Sequence, residues 1–422
     1  MENSYKKDSN YPFGFNVLGE VAGEFGLGQG ARSTLRSMEA ANIPFVVQNH
    51  QVDWHRNLDD TYRSFFTEER PYSINLIHIN PEHHLYHGLG TEYFRGRYSI
   101  AYWAWEMLEF PQAWQWAFDF FDEIWTPSNY SAQVIAAVSP IPVIKIPHSI
   151  QLQPISLGRK KLGLPKDKFI YLFMFDFHST LVRKNTIAVI EAFKKAFGKS
   201  NNDVLLIIKF SNAKYYPEQK QRLLSSAEDY SSIHFIDGHL LKEEVYGLIN
   251  NCDCYVSLHR AEGFGLTMSE AMFYGKPVIA TGYSSNIEFM NVNNSFLVQY
   301  ELKEISESGG PYAKGSICAD ADVDHAAYLM EYVYQNYEEA KKVGAQAAQD
   351  IRSLLGPKVI GNKIRKRLEY ITKRMGRETK SSQFHSLRDK KAFLENQIKG
   401  WKQTAKQLQK EIENPQFQIK NF

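Results

Sequence analysis

Short apolar runs alternate with longer helix-patterned stretches along most of this chain, in two successive series. Strand-like runs separated by helical patterns signal parallel sheets, because a parallel partner can be reached only through a crossover. The first series starts at Phe13–Leu18, passes through a glycine-rich loop into a helix near Ala31–Ala41, and continues with Phe45–Gln48 and Ile74–Ile79. Tyr98–Tyr102, Glu123–Thr126 and Val143–Ile146 complete it. A polar connection holding Pro147 and Pro154 reads as an interdomain linker. The second series comprises Phe169–Phe175, a helix over Asn185–Phe197, Leu205–Lys209, Ile233–Ile236, Cys254–Ser257, a helix from Leu266, and Val278–Ala280. Beyond Asp322 the pattern is helical, with a break at Pro357. The expected architecture is α/β: two doubly wound Rossmann-like domains, residues 1–150 and 151–375, facing across a cleft. Such sheets bind ligands beyond the carboxyl ends of their strands.

Composition narrows the class. A chain of 422 residues, 43% hydrophobic and 14% aromatic, is not disordered. Its longest apolar stretches, around Phe169–Phe175 and Val204–Ile208, fall far short of the ~20 residues that span a bilayer. No basic stretch followed by an apolar run opens the sequence, so a secretory leader is not expected. Three cysteines form no disulfide framework, which suits a cytoplasmic setting, and Cys252 and Cys254 in an apolar run read as buried thiols.

The net charge of +2 conceals an asymmetry. Residues 357–422 carry 17 basic and 6 acidic side chains, whereas residues 1–356 carry 32 and 41. The basic tail, 376–422, also shows a heptad: Phe384, Lys391, Ile398, Ala405 and Ile412 share one seam position, and Leu387, Leu394, Trp401 and Leu408 the other. Lys391 and Gly400 weaken that seam, so homo-oligomerisation and packing on the chain's own body both remain open. Basic residues without interleaved aromatics do not make a nucleic-acid motif. Peripheral attraction to anionic lipid is the expected contact for this tail.

The strongest local signal is HRAEGFGLTMSEAMFYGKPVIAT, His259–Thr281. Gly263 and Gly265 allow close backbone approach in a loop that opens a helix at Leu266, where unpaired N–H groups suit a phosphate. Glu262 and Glu270 flank that helix start. As hydroxyl acceptors they suit a sugar and a ribose; on a merely capped helix they would be solvent-exposed. Arg183 and Lys184 lie between a strand and a helix, and Lys209 ends the run LLIIK. Cations at adjacent strand ends could neutralise a leaving diphosphate, or Arg183 and Lys184 could be surface charge.

The segment around Glu262 and Glu270 resembles the E-x7-E motif of retaining glycosyltransferases of the GT-B fold, family 4, and GFGL…EAM…GKPVIAT fits as well. The resemblance spans about residues 11–375. It implies that Glu262 contacts the transferred sugar, that Glu270 binds the nucleotide ribose, and that the backbone of Phe264, Gly265, Leu266 and Thr267 holds sugar and diphosphate. It places Gly26 and Gly28 of GEVAGEFGLGQGARS near diphosphate and acceptor, with Arg32 a weaker candidate. The RKN loop and the strand-terminal lysine are similar to a mannosyltransferase-like subgroup. Expected substrates are a nucleotide-diphosphate sugar, GDP-mannose first and UDP-sugars next, and a glycan or lipid-linked acceptor. No metal and no further cofactor are expected.

Where many members of that family carry a histidine, this chain has Trp105–Glu106, so Glu106 becomes the candidate for acceptor binding or base work. The other tryptophans of YWAWEMLEFPQAWQWAFDFFDEIWTPS read mainly as core. His78 ends a strand and is a candidate for the acceptor side, while His148 reads as marking the hinge. His83 and His87 are one helical turn apart but lack accompanying cysteines or carboxylates, so no metal site is expected. The competing functions are a sugar-nucleotide epimerase of related fold and a non-catalytic GT-B-like interaction subunit.

Overall fold

The computed structural model describes residues 11–53, 55–81, 88–305, 312 and 314–381. The heptad over residues 384–412, and His83 and His87, lie outside the described residues.

The first unit is built from β1 (Phe15–Gly19), α1 (Gly26–Ala40), β2 (Phe45–Asn49), β3 (Ile74–His78), α2 (Gly90–Phe94), β4 (Tyr98–Tyr102), β5 (Glu123–Thr126), α3 (Asn129–Ala136) and β6 (Val143–Lys145). Its six-stranded sheet runs β2-β1-β3-β4-β5-β6, and every pairing is parallel. β1, β3 and β4 are buried along their whole length, which is why they read as unbroken apolar runs rather than alternating ones.

The second unit contains β7 (Phe169–Asp176), α4 (Leu181–Lys184), α5 (Thr186–Phe197), β8 (Val204–Ser211), α6 (Pro217–Ser225), β9 (Ile233–Asp237) and α7 (Lys242–Asn251). β10 (Cys254–Ser257), α8 (Leu266–Phe273), β11 (Val278–Thr281) and β12 (Phe296–Val298) follow. The second sheet is again six-stranded and parallel, in the order β12-β11-β10-β7-β8-β9. In each sheet the direction of winding reverses once, between β1 and β3 and between β7 and β10. The carboxyl ends of those strands face the cleft, where ligands of such sheets bind.

The chain then forms an antiparallel hairpin, β13 (Tyr300–Glu304) and β14 (Ile317–Ala321), which the sequence does not signal because β13 is exposed throughout. Three helices close the fold: α9 (Val323–Gln335), α10 (Tyr337–Leu355) and α11 (Pro357–Ser381). α11 crosses back onto the first unit, against α1. Ile360, Ile364, Leu368 and Ile371 form its buried stripe, and Arg365 donates to the Ala41 carbonyl. Gly361 leaves room for the Ser37 carbonyl, only 2.3 Å from where a Cβ would sit. Arg367 forms an ion pair with the fully buried Glu123, which also accepts bonds from Tyr98 (3.0 Å) and Trp125 (2.6 Å). The segment 357–373 therefore packs on the first unit, although the sequence groups it with the second.

Among the described residues no helix is long and apolar enough to cross a membrane. All three cysteines are buried free thiols.

Candidate active site

A cleft of about 570 Å³ separates the two sheets. Its walls include every residue singled out for catalysis and donor binding except Gly28: Glu106, Arg183, Lys184, Lys209, Glu262, Glu270, Gly26, and the run Gly263 to Thr267.

The Glu262 loop is held rigidly. Its backbone N–H donates to Ser284 Oγ at 3.0 Å, and its carbonyl accepts from Ser285. Gly265 is left-handed at φ +98°, and a Cβ there would lie 2.6 Å from Met268 Cε, so only glycine opens α8 in this geometry. Glu262 and Glu270 are buried, 9% and 6% exposed, which decides against surface glutamates on a capped helix.

Glu262 is the centre of an ion cluster. Lys184 Nζ contacts Glu262 Oε1, and Arg183 reaches the same oxygen at 3.3 Å. Arg183 also reaches Glu106 from the first unit at 3.3 Å and donates to the Ala261 carbonyl at 3.0 Å. Arg183 is 6% exposed, so it is not surface charge. Burial opposes ionisation of Glu262, but Lys184 and Arg183 outweigh it and hold the carboxyl down at about 2. Burial lowers Arg183 as well, yet Tyr312, Glu106 and Glu262 together leave it raised.

The loop carrying these cations is itself strained. Thr180, a β-branched residue, has φ +62°, and Asn185 has φ +52°. Thr180 Oγ1 caps α4 by accepting from Arg183 N at 3.3 Å. Arg260 ties this loop to the Glu262 loop, donating to the Val182 carbonyl (2.7 Å) and Asn185 Oδ1 (2.8 Å). Lys209 stands inside β8, two residues before its end, because the strand runs on to Ser211. Burial lowers its ammonium, and Asp176 is the main group acting against that.

Glu270 lies at the other end of the cleft. Burial raises its carboxyl to about 7, and Tyr246 donates to it at 3.5 Å. Gln29 of α1 donates to the same tyrosine hydroxyl at 3.2 Å, and Lys242 pairs with Asp59 across the cleft at 2.9 Å. The two units are thus in contact on both sides of the cleft.

Several expectations change. His78 is 1% exposed and stacked on Tyr102 at 4.1 Å; it belongs to the core beneath α1, not to the acceptor wall. Trp105 is likewise core, packed on Trp114 at 4.9 Å and donating to the Glu109 carbonyl. Arg32 is largely engaged, by the Val21 and Gly23 carbonyls (both 2.7 Å), Gln29 (3.1 Å) and Asp59 (3.2 Å), which holds its guanidinium in the first unit. Gly28 is a packing glycine: a Cβ would lie 2.2 Å from the Gly23 carbonyl. His148 does line the cleft, buried and held neutral by that burial at about 3.

Sequence reasoning missed Glu20, Asp59, Tyr246 and Tyr312. Tyr312, between β13 and β14, donates to Glu106 and lies 5.5 Å from the Arg183 guanidinium. No local pattern marks it. Glu20 could have been found, because it lies two residues past a predicted strand. Among the described residues no group of three potential ligands is placed to hold a metal ion.

Residues 156–350 match the family of glycosyl transferases, group 1. The folds of known glycosyltransferases superpose on both units together. This is the GT-B fold. The glycosyltransferase from Rickettsia africae is 15% identical, with a TM-score of 0.60 over 86% of this chain and 99% of that one. HepE of Anabaena, crystallised with UDP and glucose, is 14% identical, with a TM-score of 0.60 over 85% of this chain and 100% of that one. Among curated proteins, the serotype-specific mannosyltransferase WbdA of Escherichia coli is 28% identical over 152 residues, 35% of this chain. That match spans only 17% of WbdA's own length.

Proposed function

We propose that this GT-B protein is a retaining, metal-independent hexosyltransferase using a nucleotide-diphosphate sugar. The observation that carries the reading is the cluster of Glu262, Arg183 and Lys184 at the switch point of the second sheet, beside the N-terminus of α8, with Lys209 lining the same cleft from β8. The leaving diphosphate needs positive charge, and these three cations with the helix start supply it in an enclosed cleft. An arriving diphosphate competes with Glu262 for Lys184, which frees Glu262 to accept from a sugar hydroxyl. Glu270 accepts from the ribose.

In the transfer, the bond from the anomeric carbon to the phosphate oxygen breaks and a bond to the acceptor oxygen forms on the same face. The acceptor proton passes to the leaving diphosphate. Glu106 holds Arg183 in place rather than acting as a base, since it is engaged with Arg183 and Tyr312. Closure of the cleft keeps water from competing with the acceptor.

GDP-mannose is the favoured donor, supported by the likeness to WbdA and by the RKN loop; a UDP-sugar comes next, since HepE was crystallised with UDP and glucose. The acceptor is a glycan or a lipid-linked glycan, in cell-surface polysaccharide or glycoconjugate synthesis. Nucleotide-release assays over a donor panel test the reading. Glu262→Ala and Lys209→Ala each lower turnover at least ~100-fold if these groups serve the transition state. Near-normal rates in both overturn the assignment.

A further inference from the structure

Almost every polar group on the first unit's side of the cleft is already engaged. Asn80 exchanges two hydrogen bonds with the backbone of Ala104, each 3.0 Å. Glu24 pairs with Arg56 at 2.7 Å, and Arg32 with Asp59 at 3.2 Å. Glu106 is engaged by Arg183 and Tyr312.

Glu20 differs: among the described residues no side chain pairs with its carboxyl. It follows β1 immediately, beyond the carboxyl end of that strand, at the place where the first sheet reverses its winding. It is 4% exposed and lines the cleft. Its Oε2 is buried without a hydrogen-bond partner. No neighbouring charge offsets its burial, which alone lifts the carboxyl to about 7. A buried polar atom left unsatisfied lowers stability, and such atoms are rare in folded proteins. One facing a ligand cleft is satisfied when the ligand arrives.

The charges on the two walls say what that ligand is. On the first unit's wall, Glu20, Glu24, Asp59 and Glu106 stand against Arg32, with Arg56 pairing Glu24. His55 and His148 add no positive charge there, because burial lowers them to about 4 and about 3. The opposite wall carries Arg183, Lys184, Lys209 and Lys242 against Asp176, Glu262 and Glu270, the last raised to about 7 by burial. Phosphate is attracted to the second wall and repelled by the first.

We propose that Glu20 binds a hydroxyl of the acceptor, and that the part of the acceptor entering the cleft is an uncharged sugar, not a phosphorylated one. This rests on the glycosyl-transfer reading above. A carboxyl titrating near neutrality both accepts and donates to hydroxyls, as recognition of a sugar requires.

The test uses the full chain with methyl α-mannopyranoside and its 6-phosphate as acceptor probes, and GDP-mannose and UDP-glucose as donor probes. Saturation-transfer NMR in the presence of GDP reads binding without turnover. The wild type is expected to transfer saturation to the neutral glycoside, Glu20→Ala at least fivefold less, and Glu20→Gln to an intermediate degree. Equal transfer in wild type and Glu20→Ala overturns the proposal, as does no transfer in the wild type or stronger transfer to the 6-phosphate. If Glu20→Ala fails to fold, Glu20→Gln decides by the same criteria. In the kinetic arm, glycosyl transfer by Glu20→Ala is expected to fall at least tenfold more than acceptor-free donor hydrolysis. Parallel loss of both overturns the role of Glu20. A wild type that binds the glycoside yet consumes neither donor sinks the transferase reading but leaves the sugar site at Glu20 standing.

Discussion

Glu262 and Glu270 are eight residues apart in the sequence, are both buried, and titrate in opposite directions. The difference lies in their neighbours: Glu262 has Lys184 and Arg183 against it, whereas Glu270 meets burial with only weak compensation. The sign of the consequence follows. Glu270 binds its proton more tightly folded than unfolded, so its contribution to stability falls as pH rises from 4.5 to about 7. A shift of that size amounts to about 3 kcal/mol. Glu270→Gln is therefore expected to match the wild type in urea denaturation near pH 4 and to exceed it near pH 8, while losing donor affinity. Parallel stability curves would show that the carboxyl is not desolvated. The motif pair was legible in the sequence because a glycine-bracketed helix start is a local feature. The companions of Glu262 were legible only as candidates, since nothing local states that Arg183 and Lys184 meet on one oxygen of Glu262.

At the level of elements, the strands were readable because central strands of a parallel sheet are buried on both faces and so appear as apolar runs. The hairpin of β13 and β14 was not, because YELKE in β13 is polar and wholly exposed. It nevertheless brings Tyr312 onto Glu106. The helical pattern after Pro357 did not name the surface that α11 packs on. That surface is α1, and its approach is tight: a Cβ on Gly361 would also meet Ala41 Cβ at 2.8 Å. Gly361→Ala is expected to destabilise the chain by about 1–3 kcal/mol, as overpacking does, despite alanine's better helix propensity. Thermal denaturation checks this. A neutral or stabilising result would mean that α11 is not seated on α1 as described.

For the whole molecule, α11 straps the second unit to the first. Removing its anchor leaves Glu123 buried with only Tyr98 and Trp125 as donors, and breaking such a pair costs about 3–5 kcal/mol. Arg367→Ala is expected to lower the denaturation midpoint accordingly, whereas an exposed pair such as Lys195–Asp324 contributes at most about 1 kcal/mol. The basic tail predicts a second behaviour at this scale. Liposomes containing anionic lipid should bind the full chain in a salt-sensitive way, at about 1 kcal/mol per engaged basic residue, and a chain ending at Met375 should lose that binding. Unchanged binding after truncation removes the tail from the account.

The sequence by itself determined two parallel α/β units and the acidic pair around a phosphate-suited helix start, and offered Arg183, Lys184 and Lys209 as candidate cations. All of these follow from local periodicity and turn chemistry. Only the tertiary structure decided that Arg183 and Lys184 converge on Glu262, that Glu106 is held by Tyr312, and that α11 belongs with α1. It alone separated His78 and Trp105, which are core, from Glu20, which lines the cleft. Burial and pairing are set by what packs across from a residue, and that partner is often more than a hundred positions away in the chain.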